Sequence, residues 1–409
     1  MFKIDKVDEH VGVGLFASAP LLAETVILNE EPIISAQFSW SKTYGYLACD
    51  FCLKPLEGVN QNVRRLTNDN SIDLPYPEFC PLITHPSKVE ICENCQTVYC
   101  SNTCQARANE LYHNLMCFSP KKDNPITELD QVWKMIHMPP ETSAIILVLR
   151  IICLFLNSKT NPQAKEASDN LAVFKSEFST NSNEYFHKLI GKKFDTERDS
   201  LLNGIREAIK YILQEKFGLI NQIDQDNFLK ECQVENLLDE NGFCSILSLL
   251  GRNQQGISTS PLSKWRMAVE HKLLNESEDK FNQFQSQIDD LYERLDETVG
   301  QFLDSEGVGL YKTQHYLNHS CEPNCEIKFI NFNNTLSLTA LRDIEIGEEL
   351  TISYLDECEL ECSTRRRQKF LLENYLFQCK CSKCLKSPPL DNESLSSDDE
   401  DSHYNMDCN

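Results

Sequence analysis

The sequence predicts a mixed α+β fold: a strand-rich core, interrupted by a cysteine-dense module and a helical insert, and followed by a second cysteine-dense segment. Three observations carry this reading. β-branched runs punctuated by Gly and Pro lie towards both ends, at Val26–Leu28 with Ile33 and Ile34, and again between Glu326 and Leu341. Between 126 and 250 apolar residues recur at three and four, as Ile145, Ile146, Leu149, Ile152 and Leu156, then Leu201, Ile205, Ala208, Ile209 and Ile212. Most of the 19 cysteines fall in two clusters, 49–117 and 358–384.

Composition bounds what such a fold can do. At 409 residues there is room for two or three domains and an ample core. The formal charge is −23, and seven carboxylates (Asp391, Glu393, Asp398, Asp399, Glu400, Asp401 and Asp407) lie in the last 19 residues, which hold no Lys or Arg. The preceding 390 residues still carry −16. Direct nucleic-acid binding is therefore disfavoured, because it relies on clustered Lys and Arg, and a basic protein surface is the better electrostatic partner. The opening MFKIDKVDEHVG has charges where a signal peptide is apolar. The longest apolar run, 143–156, has 14 residues interrupted by Arg150, too short to span a bilayer, and it reads as a buried helix. The expectation is an intracellular, soluble chain without membrane contact, where spaced cysteines bind metal more often than they form disulfides.

Taken in order, 1–45 reads as short strands punctuated by Gly12, Gly14 and Pro32, 46–120 as the first cysteine module, and 121–245 as helical. The segment 246–357 is expected to return to strands. Within it, Glu326–Phe332 and Thr335–Leu341 flank Asn333-Asn334, a pair suited to a two-residue hairpin turn. The second cysteine segment occupies 358–386. From 387 to 409 the chain is rich in Ser and acids, with little to bury, and is expected to be disordered. No internal repeat is visible.

The first cluster pairs its ligands as Cys49-x2-Cys52, Cys92-x2-Cys95, Cys100-x3-Cys104 and His113-x3-Cys117. A two-residue gap lets both sulfurs of a knuckle reach one ion about 2.3 Å away, and four S/N ligands suit tetrahedral Zn(II), so eight ligands fill two closed sites. His113 and Cys117, four apart, fit one face of a helix. Cys80 has no pair and reads as an ordinary thiol. With Tyr99-Cys100 and Cys104-Gln105, the cluster resembles a MYND zinc finger. The resemblance implies cross-bracing, with Cys49, Cys52, Cys100 and Cys104 on one zinc and Cys92, Cys95, His113 and Cys117 on the other. The 39 residues between Cys52 and Cys92 depart from the compact spacing of that family.

Three further motifs occur in a fixed order: Gly12-Val13-Gly14-Leu15-Phe16-Ala17, Asn318-His319-Ser320-Cys321-Glu322-Pro323-Asn324, and Glu349-Leu350-Thr351-Ile352-Ser353-Tyr354 after the Gly347 turn. Together they resemble the SET domain of protein-lysine methyltransferases. The resemblance implies that Gly12, Gly14, Leu15, Asn318, His319 and Tyr354 bind the methyl donor, S-adenosyl-L-methionine. Glycines let backbone approach a ligand closely. Asn318 and His319 can hydrogen-bond the donor, and Tyr354 can place its hydroxyl near the methyl carbon and the incoming lysine nitrogen. An apolar aromatic channel would favour the free amine.

Cys379-x-Cys381-x2-Cys384 supplies three thiols, one short of a closed site, and Cys321, Cys325, Cys358 and Cys362 compete to be the fourth. The arrangement resembles a post-SET zinc segment, which places Cys321 there. Tyr375 would then act with Tyr354 as a catalytic residue walling the lysine channel, and Phe377 would stack on the donor's adenine. The run Arg365, Arg366, Arg367 and Lys369 reads as a solvated helix face.

A SET domain split by a MYND finger is similar to the SMYD family. The resemblance implies an α+β fold: a SET β-fold interrupted by the finger and by a helical insert beginning near Pro139-Pro140, then a zinc-binding post-SET segment. The 250–257 stretch resembles the strand re-entering the SET core, with Asn253 a candidate donor contact. Only 25 residues follow Cys384, so no C-terminal helical repeat domain is expected. That and the long finger insertion point to one branch of the family. The expected function is S-adenosyl-L-methionine-dependent protein-lysine N-methylation, with three Zn(II) per chain. Substrates would be basic lysine-containing segments of histone tails or ribosomal proteins. The alternative is an inactive scaffold or corepressor whose finger binds proline-containing peptides. The chain is expected to be monomeric, cytoplasmic and nuclear.

Overall fold

The computed structural model describes residues 1–8, 11–43, 45–80, 88–119, 124–136, 144–174, 198–218, 230, 235–274, 276–299 and 307–386. Pro139-Pro140 and the acidic segment 387–409 lie outside the described residues. Two compact units emerge. One comprises the described residues of 1–30, 313–328 and 336 onward; the other comprises those of 31–312 with 329–335. No described helix is long and apolar enough to cross a membrane.

The first unit is built from two small sheets. In one, Gly12–Ala17 is antiparallel to Phe2–Asp8 on one side, and on the other to Glu349–Ile352, with Leu15 opposite Leu350. Glu349–Ile352 then takes Asn318–His319 as a parallel neighbour, Thr351 facing Asn318 and Ile352 facing His319. Leu15, Ala17 and Leu350 are fully buried and anchor this sheet. The second sheet runs Cys325–Lys328, Leu336–Ala340, Val26–Glu30, all antiparallel, with the central strand buried throughout. Asn324 stitches the turn after His319 to the neighbouring strand. Its amide donates to the Glu349 carbonyl (2.8 Å) and to Glu348 Oε1 (3.1 Å), and its Oδ1 accepts from the Thr351 N–H (2.8 Å).

The second unit holds the larger core. Ala144–Asn157 is apolar almost all round and sits at its centre. Pro125–Ile136, Arg198–Phe217 and Glu240–Asn253 pack in the same core through Trp133, Ile205, Ile209, Ile212, Phe243, Ile246 and Leu250. In Arg198–Phe217 the three-and-four spacing read from the sequence marks the buried face, whereas Ala144–Asn157 is buried nearly all round and Ile146 of that spacing is only half-buried. A three-stranded sheet, Ile34–Gln37 beside Gly307–Leu310 beside Gln255–Ile257, completes this unit. Gly307 sits where a Cβ would lie 2.2 Å from the Ala36 carbonyl oxygen, so this strand contact needs glycine.

Two sequence expectations are corrected here. The 246–357 segment is not uniformly strand, because Pro261–Leu274 and Glu278–Val299 are helices. Their apolar positions, Trp265, Val269 and Leu273, then Phe284, Ile288, Leu291 and Leu295, recur at three and four and are buried. They pack against a helix at Val59–Thr67, through Val59, Val63 and Leu66, and Trp265 Nε1 donates to the Pro75 carbonyl (2.8 Å). The long finger insertion therefore has a small core of its own, which also takes in Cys80. Nor is Asn333-Asn334 a two-residue turn. The strands end at Lys328 and resume at Leu336, and it is Phe332 that takes positive φ (51°). Asn334 is buried in the second unit: its amide donates to Ser35 Oγ (2.8 Å) and the Phe51 carbonyl (3.1 Å), and its N–H donates to the Cys52 carbonyl (2.7 Å).

Arg150, the break in the apolar run, is buried and reaches three elements of this unit. It donates to the Ser35 carbonyl (2.5 Å), to the Asp50 carbonyl (3.1 Å) and to Asp50 Oδ1 (2.8 Å), and stands over the Tyr112 ring at 4.1 Å. Burial alone would raise the Asp50 carboxyl, but the charge of Arg150, and after it that of Lys42, holds it below the ordinary carboxylate range. Arg150→Ala leaves that carboxylate without its partner and should cost about 3–5 kcal/mol in chemical denaturation. Because Asp50 is depressed in the folded state, its stabilisation is present above the ordinary carboxylate value and lost as pH falls through the lowered one. That part of the acid dependence should vanish in Asp50→Asn.

Candidate active site and metal clusters

Three groups bring their ligand atoms within 4.8 Å of one another: Cys49, Cys52, Cys100 and Cys104; Cys92, Cys95, His113 and Cys117; and Cys321, Cys379, Cys381 and Cys384. Four sulfurs each about 2.3 Å from one ion stand about 3.8 Å apart. Several separations here approach that edge: 3.6 Å for Cys52–Cys100, 3.5 Å for Cys100–Cys104, 3.6 Å for Cys92–Cys117, 3.9 Å for Cys321–Cys379 and 3.7 Å for Cys321–Cys384. His113 Nε2 lies 3.6 Å from Cys95 Sγ. Each donor set fits a tetrahedral ion.

Local structure explains how the ligands converge. Glu90–Ile91 and Val98–Tyr99 form a short hairpin that carries Cys92, Cys95 and Cys100 at or beside its strands. Ser101 caps the following helix, its Oγ accepting the Cys104 N–H (3.2 Å), which sets Cys104 one turn from Cys100. His113 and Cys117 do not share a regular α-helical face. A π-helical turn at Asn109–His113 widens the helix, and the backbone is extended by Cys117, so its sulfur turns back on Cys92. Asn94 donates to Cys117 Sγ (3.2 Å) and Tyr99 stands edge-on to His113 at 5.6 Å, both holding the second set.

Among the competing thiols, Cys325 is buried in its strand opposite Ala340, and Cys362 Sγ donates to the Cys358 carbonyl (3.4 Å). Cys321 is the one that joins the third set. Its thiol is lowered by its contact with Cys379, then by His319 and Arg367. The basic run is therefore not wholly a solvated face: Arg367 is buried, with Nη2 3.7 Å from Cys384 Sγ, and it also donates to the Cys362 carbonyl and to Thr364 Oγ1 (3.1 Å). One helical turn apart from its neighbours in register, Arg367 lies on the inner face with Thr364 and Leu371. Gln368 holds the ligand loop by donating to the Cys379 carbonyl (3.0 Å).

The first unit also gathers the residues of the glycine, Asn-His-Ser and tyrosine motifs. Asn318 donates both amide hydrogens, to the Val13 carbonyl (3.1 Å) and to Glu349 Oε1 (2.8 Å). A Cβ on Gly14 would meet Glu349 Oε1 at 2.6 Å and Asn318 Nδ2 at 2.9 Å, so glycine there makes room for this pair. Gly12 has φ +89°, a left-handed value that favours glycine, and open space where a side chain would be. Leu15 is buried beneath them.

Tyr354 donates its hydroxyl to the Leu317 carbonyl (2.7 Å). Its ring lies 4.9 Å from that of Tyr375, 6.3 Å from Phe377 and 5.4 Å from His319. Burial raises both phenols, Tyr375 to about 12, so both stay protonated at neutral pH. His319 differs from the role read for it in one respect: both of its ring nitrogens face protein partners, the Tyr354 N–H (2.9 Å) and Cys321 Sγ (3.3 Å), which leaves its main chain for a ligand. Asn253 belongs to the second unit, where its amide donates to the Leu249 carbonyl (3.0 Å).

Sequence reasoning passed over Glu349, Asn324 and Arg367 as site residues. The first two lie inside motifs already singled out. Arg367 gave no signal, since one arginine in a basic run looks like the others until the helix is docked.

A SET-domain family model matches residues 12–355. The chain is 36 % identical over 394 residues to the zebrafish (Danio rerio) protein-lysine N-trimethyltransferase SMYD5, covering 95 % of this chain and 88 % of the relative. It is 38 % identical over 400 residues to the chicken (Gallus gallus) protein of that name, covering 95 % and 87 %. Human histone-lysine N-methyltransferase SMYD3 matches over 78 residues at 50 % identity, 19 % of this chain and 17 % of the relative. These relatives, the SET match and the paired cysteine sets agree: the chain belongs to the SMYD family of protein-lysine methyltransferases, on the branch that carries SMYD5.

Proposed function

We propose that the protein transfers methyl groups from S-adenosyl-L-methionine to lysines in basic segments of histone tails or ribosomal proteins. The SMYD5 relatives are named trimethyltransferases, and we extend that degree of transfer to this chain. The observation that carries the reading is the grouping of Tyr354, Tyr375, Phe377 and His319 around one point of the first unit, beside the pinned Asn318. The body's negative charge suits basic substrates, which would be met in cytoplasm and nucleus. The exposed carboxylates of Asp356 and Glu357, just after Tyr354, add to that field.

Bound S-adenosyl-L-methionine supplies a sulfonium methyl for in-line displacement by an amine. Gly12, Gly14, Asn318, the His319 main chain and Phe377 would hold it. The protein's task is positioning and exclusion of water. Because the Tyr354 O–H is committed to the Leu317 carbonyl, its oxygen keeps lone pairs that can accept an N–H from the lysine amine, aiming the nitrogen's own lone pair. Neither raised phenol can serve as a base at neutral pH. The aromatic lining instead disfavours the ammonium form, so the amine reacts after losing its proton to solvent. Zn(II) in the three donor sets would tie the finger and the Cys379–Cys384 loop as closed structural sites.

The defining experiment incubates purified protein with methyl-labelled donor and a cell extract, and identifies labelled proteins by mass spectrometry. Label on lysines of basic proteins is expected; no label on any protein refutes the reading. Tyr354→Phe removes one hydroxyl and leaves the Leu317 carbonyl unpaired. It should cost about 1–3 kcal/mol of stability and reduce kcat on the order of a hundredfold, while donor binding by calorimetry changes little. Gly14→Ala should displace Glu349 from Asn318, weakening donor binding at least tenfold, with a stability loss of about 1–3 kcal/mol. Elemental analysis of protein purified without chelator should find close to three zinc ions, and strong chelation should lower the melting temperature.

A further inference from the structure

His319 occupies an unusual place between a donor set and a tyrosine. Its Nδ1 lies 2.9 Å from the Tyr354 backbone nitrogen. That nitrogen can only donate, so Nδ1 is the acceptor and the neutral ring carries its proton on Nε2. Nε2 is 3.3 Å from Cys321 Sγ. The imidazole thus accepts from the tyrosine's main chain and donates to a ligand sulfur, and the Tyr354 and Phe377 rings lie tilted beside it at 5.4 and 6.0 Å. A sulfur bound to an ion keeps lone pairs for such an N–H, and groups of this kind orient ligands and tune a site.

Arg367 also reaches the set, through Cys384 and Cys321, but its other bonds go to Thr364 and Cys362 on its own segment, and none goes to Tyr354. Only His319 joins the set to Tyr354 among the side-chain bonds described for these residues.

We propose that His319 is a positioning residue that couples the metal held by Cys321, Cys379, Cys381 and Cys384 to the backbone of Tyr354, so that occupancy of this cluster fixes where the catalytic phenol stands. The proposal rests on the methyltransferase reading above. It assigns the ring to the protein's own framework, leaving contact with the methyl donor to the main chain.

Two variants separate the two ends of the link. In His319→Asn the amide oxygen can take the place of Nδ1 and still accept the Tyr354 N–H, but the shorter side chain no longer reaches Cys321. In His319→Gln the longer amide can reach Cys321 in place of Nε2, but the acceptor for Tyr354 is lost. Zinc release to a chromophoric chelator and steady-state kinetics are measured on the full-length zinc protein. His319→Asn should release one of its three zincs about 10–100-fold faster than the parent. His319→Gln should keep all three, yet lose at least tenfold in kcat with KM values within twofold. Parental zinc release in His319→Asn, or release from His319→Gln as fast as from His319→Asn, would overturn the link.

A third measurement needs no substitution, and stands even if a variant does not fold. With cadmium-113 in place of zinc, the Nε2 proton of His319 should show through-hydrogen-bond coupling to one cadmium, and its absence from an assigned, slowly exchanging proton signal would refute the bond. None of the metal readouts requires turnover. Failure here therefore leaves the methyltransferase reading standing, whereas that reading falls if the unaltered protein transfers no label.

Discussion

The second unit depends on one buried cation. Arg150 projects from the most apolar of the described helices and is met by the Ser35 carbonyl, the Asp50 carbonyl and the Asp50 carboxylate. A guanidinium offers a fixed fork of donors, so a single side chain can hold a strand, a metal-ligand knuckle and a helix in one relative geometry. Removing it from water is costly, and the arrangement is tolerable only because charge and donors are both answered. Asn334 does similar work with a neutral amide, reaching Ser35, Phe51 and Cys52. The Cys49–Cys52 knuckle is thus held by the body of the unit as well as by its own ligand set.

The first unit shows the same economy in a smaller space. Parallel pairing of Thr351 with Asn318 and Ile352 with His319 brings two motifs, distant in sequence, into adjacent strands. Gly14 then allows the Asn318–Glu349 pair to lie against the glycine strand. The polar groups of Asn318, His319 and Tyr354 are mostly committed to protein partners. Such commitment is what preorganisation means physically: little has to rearrange when substrate arrives.

The finger insertion shows how a family pattern can stretch without failing. The residues between Cys52 and Cys92 carry a helix whose apolar face is buried by two further helices at 261–299. An added segment whose apolar face is covered by helices from elsewhere in the chain need not strain the ligand geometry, because loop length itself costs little.

The sequence by itself determined the fold class, eleven clustered ligand candidates with Cys321 added by the family resemblance, and the three motifs that the first unit brings together. Those signals are local: a two-residue gap between cysteines, apolar positions three and four apart, and dense polar motifs survive without knowledge of the rest of the chain. It was silent, or misleading, wherever a residue's role depends on what a distant segment presents to it. Arg367 differs from Arg366 only by which side of a helix meets the Cys384 sulfur. Asn334 resembles a turn residue until Phe51 and Ser35 are seen around its amide. The capture of both His319 nitrogens by the protein was decided only by tertiary structure. Hydrogen bonds act over about 3 Å and depend on direction, and nothing in the linear order of a chain sets distances of that kind between residues far apart.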